Sequence, residues 1–255
     1  MNAAAVVGFG ALGIPVGSFL NVVVDRVPDK VSLRGPREGE VCPPVDVLGV
    51  PVQPWLARRG RVAGGRLPGR WLWVELLTTV VFGLFASRYG DRIVVVPLLL
   101  LGASLVAVSV IDLQLLRIPD RVTFPTLAAS LPLVLAVSVR NDVPDAFIGA
   151  LVGAVSYFVV LLIPHLIYPR GMGFGDVKLA LVMGLYLGWL GWSDLHPIGG
   201  PIQLVLYGLM LGCALGVVFG LASSVVTKRR GAFPFGPALA VACVVVALFA
   251  SDLTL

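Results

Sequence analysis

Gly171-Met172-Gly173-Phe174-Gly175-Asp176 is a glycine-spaced turn that ends in an acid and runs straight into the apolar segment 177–192. Apart from Lys178, the next charge after Asp176 is Asp194. The carboxylate therefore sits where a hydrophobic helix begins and water thins out, and an ionisable group at such a depth is costly enough to be a functional-site candidate by default. The glycines at alternate positions remove side chains where the backbone must bend and where another chain can approach closely. As structure alone, the stretch is a loop between two membrane helices with Asp176 as the N-cap of the second. A second acid at the same depth would separate the two readings.

Segment 177–192 is one of many apolar runs. The chain has 255 residues, of which 58% are hydrophobic and 13% charged, with a mean hydropathy of +0.96. Soluble domains carry roughly 25% charged residues, so the composition predicts an all-α polytopic membrane protein. Runs of about 17 to 25 apolar residues cross roughly 30 Å of hydrocarbon. Eight can be placed, at 3–24, 71–87, 93–111, 122–139, 146–168, 177–192, 201–226 and 233–250. The first is too long and glycine-rich, and too poorly flanked by basic residues, to read as a cleaved signal peptide. Two domains are expected: residues 1–70, a first helix with a polar lobe, and residues 71–255, the main membrane domain.

The net charge of +5 raises nucleic acid as a partner, but its distribution points to membrane orientation instead. Of the 19 Lys and Arg residues, 16 lie in segments 26–70, 112–121, 169–178 and 227–232. The intervening segments hold only Arg88, Arg92 and Arg140. Basic loops stay cytoplasmic, which puts both termini outside and segment 26–70 inside. That segment, rich in Pro, Gly and Arg, makes a small lobe without an independent core, and its charge suits an anionic lipid leaflet.

Ile111-Asp112-Leu113 supplies the second acid, at the cytoplasmic end of the third run. Two carboxylates on different helices at one depth can share a site, and like charges close together cannot both ionise, so such a pair holds one proton. One member can activate a water while the other protonates the scissile amide, the division that peptide hydrolysis needs. Asp120, after Pro119 and before the run at 122, reads better as an N-cap.

The residues around both acids resemble the two aspartate motifs of prepilin leader peptidases, members of the Gly-x-Gly-Asp class of intramembrane aspartic proteases. The likeness lies in Ile111-Asp112 through Ile118-Pro119-Asp120-Arg121 and in Gly173-Phe174-Gly175-Asp176-Val177-Lys178. It extends to Val16-Gly17-Ser18-Phe19-Leu20-Asn21-Val22-Val23 with Arg26-Val27-Pro28, to Glu75-Leu76-Leu77, and to Phe233-Pro234-Phe235-Gly236-Pro237. The resemblance implies that Asp112 and Asp176 are the catalytic pair. It implies that the substrates are prepilins or pseudopilins, cut after a short basic leader at the cytoplasmic face of the inner membrane. It also implies S-adenosylmethionine as a cofactor wherever N-methylation of the new terminus is retained.

Long-form members of the resembled family carry two Cys-x-x-Cys pairs in the first cytoplasmic loop. This loop has only Cys42, and one thiolate cannot hold a structural zinc, so no metal is expected. Gly171, Gly173 and Gly175 are expected to serve as motif and hinge for an extended peptide. Lys178, Asp120 and Glu75 are candidates for substrate or electrostatic support, with Lys178 also readable as a snorkelling anchor and Glu75 as an interfacial residue. Trp71, Trp73, Trp189 and Trp192 are expected in an interfacial aromatic belt. His165 and His196 lack a second ligand at metal-binding spacing. Two other function classes stay open: a proton-coupled transporter, which wants acids at the midplane or on both faces, and a non-catalytic pilus assembly factor.

Overall fold

The computed structural model describes residues 3–33, 45–47, 50–52, 70–90, 92–169, 172–227 and 234–250. Among them are eight helices: α1 (Ala3–Arg26), α2 (Arg70–Tyr89), α3 (Val95–Leu115), α4 (Asp120–Arg140), α5 (Ala146–Ile167), α6 (Phe174–Gly191), α7 (Gly199–Thr227) and α8 (Gly236–Leu248). Each overlaps one predicted run. The first seven contain stretches long and apolar enough to cross a membrane, whereas α8 has 13 residues. Pro237 sits in the first turn of α8, where its fixed φ and missing N–H cost nothing. Exposed positions on these helices are themselves apolar, among them Leu72, Val155, Ile163, Met210 and Val217. Water would penalise such faces and lipid does not, so the chain is a multi-pass membrane protein.

One element was not expected. Strands β1 (Val45–Val47) and β2 (Val50–Val52) pair antiparallel, with Val45 opposite Val52 and Val47 opposite Val50. Pro51 is tolerated because a two-stranded piece consists only of edges.

The chain forms two compact units, Met1–Val95 and Val96–Leu255, the first of which holds α1 and α2 together. The reason is the contact between α1 and α2. A Cβ on Gly17 would lie 2.7 Å from the Cα of Glu75, and one on Gly13 would lie 2.6 Å from the backbone nitrogen of Thr79. Glycine there lets the two backbones approach. Asn21 on α1 donates from Nδ2 to the Trp71 carbonyl at 3.2 Å, and Asp25 pairs with Arg70.

In the second unit the tightest seam joins α5 to α6. Gly149 and Gly153 on α5 meet Gly184 and Gly188 on α6; a Cβ on Gly188 would lie 2.7 Å from the Cα of Gly153. Both helices carry the Gly-x-x-x-Gly spacing that brings membrane helices into backbone contact. Helix α4 is tied to α6 by hydrogen bonds: the hydroxyls of Ser130 and Tyr186 lie 2.8 Å apart, and Trp189 Nε1 donates to Ser138 Oγ at 2.9 Å. Trp189 and Trp71 are thus buried, not part of an interfacial belt, while Trp73 is exposed. An indole N–H inside the bundle needs an acceptor, and Ser138 supplies one.

Candidate active site

Helix α3 ends three residues after Asp112, at Leu115. The Leu116 N–H donates to the Asp112 carbonyl at 2.8 Å, and Leu116 itself has φ 51°, the left-handed conformation that ends a helix and that leucine rarely adopts. The chain then turns through Ile118, which is buried. Ile118 reaches two glycines: a Cβ on Gly175 would lie 2.8 Å from Ile118 Cβ, and one on Gly236 would lie 3.4 Å from Ile118 Cδ1. The end of α3 and the starts of α6 and α8 therefore converge on one side chain.

Asp112 and Asp176 both face this convergence. Asp112 is 5% exposed and Asp176 8%. The Gly236 N–H, at the start of α8, donates to Asp112 Oδ2 at 3.0 Å. A free N–H at a helix start is a natural anchor for a carboxyl group. Asp176 lies in the first turn of α6, whose N-cap is Gly173, so the carboxylate is inside the helix and not its cap. Its Oδ2 lies over Gly173, where a Cβ would come within 3.3 Å. Its Oδ1 is buried and has no hydrogen-bond partner among the described residues. The two carboxyls are within electrostatic reach of each other. Neither has an ion-pair partner among the described residues.

The other expected residues divide. Asp120 is the first residue of α4, whose N-cap is Pro119, and makes no capping bond. Instead both of its oxygens accept from Lys178 Nζ, each at 2.8 Å. The same ammonium lies over the rings of Phe174, at 4.9 Å, and Phe124, at 5.6 Å. Glu75 belongs to the first unit, where it is buried with its side chain against Gly17. Gly171 and Cys42 lie outside the described residues. Among the described residues no three His, Cys, Asp or Glu side chains gather as a metal site.

Two contributors were not foreseen. Gly236 was noted only for its motif, and no spacing relation links it to Asp112 across 124 residues. His165 holds the α5–α6 connection: Nδ1 meets the Met172 carbonyl at 2.9 Å, which requires the proton on Nδ1, and its ring lies 5.2 Å from that of Phe174. Its place seven residues before Met172, across a helix end, was the available signal.

Residues 99–221, which contain both acids, match the model of the type IV leader peptidase family. Residues 11–89 match that of the bacterial peptidase A24 N-terminal domain. The prepilin leader peptidase/N-methyltransferase of Pseudomonas putida is 32% identical over 95% of this chain and 90% of its own length. Its namesake from Xanthomonas campestris pv. campestris is 31% identical over 95% and 90%. That of Dichelobacter nodosus is 28% identical over 91% and 87%. No solved structure matches.

Proposed function

This chain belongs to the type IV leader peptidase family, and we propose that it is a membrane-embedded aspartic endopeptidase whose acid/base pair is Asp112 and Asp176, acting on prepilins or pseudopilins. The observation that carries the proposal is two buried carboxyls, contributed by different helices, within electrostatic reach and with no ion-pair partner among the described residues. A purely structural pair of this kind would be destabilising, since each buried charge wants a partner.

In the reaction, one carboxylate takes a proton from a water as that water attacks the scissile carbonyl carbon. The other carboxyl, protonated, donates to the carbonyl oxygen, giving a tetrahedral diol. Return of a proton to the amide nitrogen lets the C–N bond break, releasing the leader as a carboxylic acid and the mature protein as an amine. The Gly236 N–H keeps Asp112 turned into the site, and the bare backbone of Gly173 leaves space over Asp176 Oδ2. An extended peptide can lie against such glycines without side-chain conflict.

The acids sit at the C-terminal end of α3 and the N-terminal end of α6, the ends next to the basic segments. By the positive-inside rule that side is cytoplasmic in a bacterial inner membrane, with both termini outside. Protease or thiol-reagent accessibility of tags placed in segments 112–121 and 140–145 tests this orientation.

The relatives' names include N-methyltransferase, for which S-adenosylmethionine would be the methyl donor. In the first unit the described interior between α1 and α2 is closed by backbone contact at Gly13 and Gly17. Zinc does not fit, because Cys42 is the sole cysteine of segment 26–70.

The deciding experiment is cleavage of a candidate prepilin in membranes holding wild type, Asp112→Asn or Asp176→Asn at matched levels. Wild type should cut and each variant should not, while both remain inserted. If either variant cuts at the wild-type rate, the pair is wrongly assigned.

A further inference from the structure

The stretch that leads into α6 has glycines on both sides of Phe174, at 173 and 175, and glycine leaves a backbone free to pivot. Asp176 depends on that stretch. Its N–H donates to the Gly173 carbonyl at 3.1 Å, and its Oδ2 lies over Gly173, so a pivot there turns the carboxyl. The preceding helix supplies a fastening. His165, in the last turn of α5, meets the Met172 carbonyl with Nδ1 at 2.9 Å, one residue before Gly173. Its ring lies 5.2 Å from that of Phe174, one residue after Gly173. A single imidazole therefore brackets the glycine on which Asp176 rests. His165 is half-buried, so water could satisfy the Met172 carbonyl in its absence, and the net gain in stability from the bond is modest. What water cannot supply is a fixed place for the turn relative to α5.

We propose that His165 is a positioning residue for the peptidase reaction: by holding Met172 and Phe174 it sets the rotation of the first turn of α6, and with it the direction in which Asp176 presents its carboxyl to the scissile peptide. Nδ1 is the donor and the Met172 carbonyl the acceptor, so the effect passes through the backbone and not through the reacting atoms. The inference rests on Asp176 being a member of the catalytic pair.

The test separates the donor from the ring. His165→Phe keeps an aromatic ring against Phe174 and removes the donor. His165→Asn places an amide Nδ2 where the imidazole has Nδ1 and removes the ring. Purified full-length proteins in detergent, with wild type and Asp176→Asn alongside, are assayed for kcat and KM with a cleavable prepilin. Tm and amide hydrogen exchange of the peptide covering residues 172–178 are measured on the same samples. His165→Phe should lower kcat by about tenfold or more with KM within about twofold, since a displacement near 1 Å costs on the order of 10²-fold. In that variant the 172–178 peptide should exchange faster, with the rest of α6 unchanged. His165→Asn should bring kcat back to within about threefold of wild type and restore slow exchange. Both variants should keep Tm within about 4 °C of wild type. A His165→Phe kcat within about twofold of wild type overturns the proposal, as does a His165→Asn kcat no better than that of His165→Phe. Unchanged exchange in 172–178 overturns it too. So does a fall in Tm that accounts for the lost activity, or failure of His165→Phe to fold, because either shows the histidine to be structural. Failure of the peptidase assignment itself reads differently: Asp176→Asn would then cut as wild type does, while the exchange difference between the two His165 variants would persist.

Discussion

The end of α3 and the start of α4 carry one acid each, and the start of α6 carries an acid and a base. The structure matches them in two unlike ways. Asp112 and Asp176 are both buried, within electrostatic reach, and without an ion-pair partner among the described residues, whereas Asp120 meets Lys178 where the acid's side chain is 53% exposed. Asp120 is eight residues along the chain from Asp112, and Lys178 two from Asp176. The difference in burial decides what each pair can do. An exposed salt bridge is nearly neutral in energy because water already solvated both ions. A buried pair of like charge is unfavourable as structure, and its persistence makes sense as chemistry.

If that contrast holds, loss of charge should be catastrophic at one pair and minor at the other. Asp112→Asn and Asp176→Asn should each lower kcat/KM by on the order of 10³-fold, the scale of a lost general acid or base. Their Tm should not fall, since neutralising one member relieves repulsion. A drop in Tm of several degrees with partial activity would instead place the pair among structural elements.

Gly236→Ala probes the same pair without touching a charge. The new methyl would lie 2.8 Å from Asp112 Oδ2, the mobile end of a side chain, so the carboxyl should swing away instead of the backbone yielding. A misplacement near 1 Å costs about 10²-fold in rate. Alanine favours a helix over glycine by about 0.5–1 kcal/mol, so stability should be kept. Gly175→Ala is expected to behave in the opposite sense. There the methyl would meet Ile118 Cβ, a branch point with little freedom, and overpacking should cost about 1–3 kcal/mol. Thermal unfolding in detergent beside initial cleavage rates separates the two.

The helices were legible because hydrophobic runs of membrane length leave little choice of conformation, and their ends fell within a few residues of those expected. The acids were legible as anomalies within those runs. What joins them was not. The Gly236 N–H on Asp112 and the left-handed Leu116 both follow from how α3, α6 and α8 meet, and no local signal in the chain encodes either. The α5–α6 seam is different: Gly149-x-x-x-Gly153 and Gly184-x-x-x-Gly188 are readable spacings that the hydropathy pattern overshadowed. Asp120 shows how a local rule fails. Its place before a helix suggests a cap, but a cation 58 residues away makes the stronger claim on its oxygens.

The smallest effect belongs to the exposed pair, and it tests the contrast most sharply. Both Asp120 oxygens accept from Lys178, a good geometry, but exposure to solvent holds the gain below about 1 kcal/mol. The rings of Phe174 and Phe124 would hold the ammonium without Asp120, adding about 0.5–1 kcal/mol. Asp120→Asn and Lys178→Met should therefore each change cleavage by less than about threefold, equivalent to under 1 kcal/mol. Their coupling in a double-mutant cycle should be small and should shrink further as salt is raised. A loss beyond tenfold from Lys178→Met, with none from Asp120→Asn, would show that the ammonium serves the buried acids two residues away, and the two pairs would then have to be treated as one site.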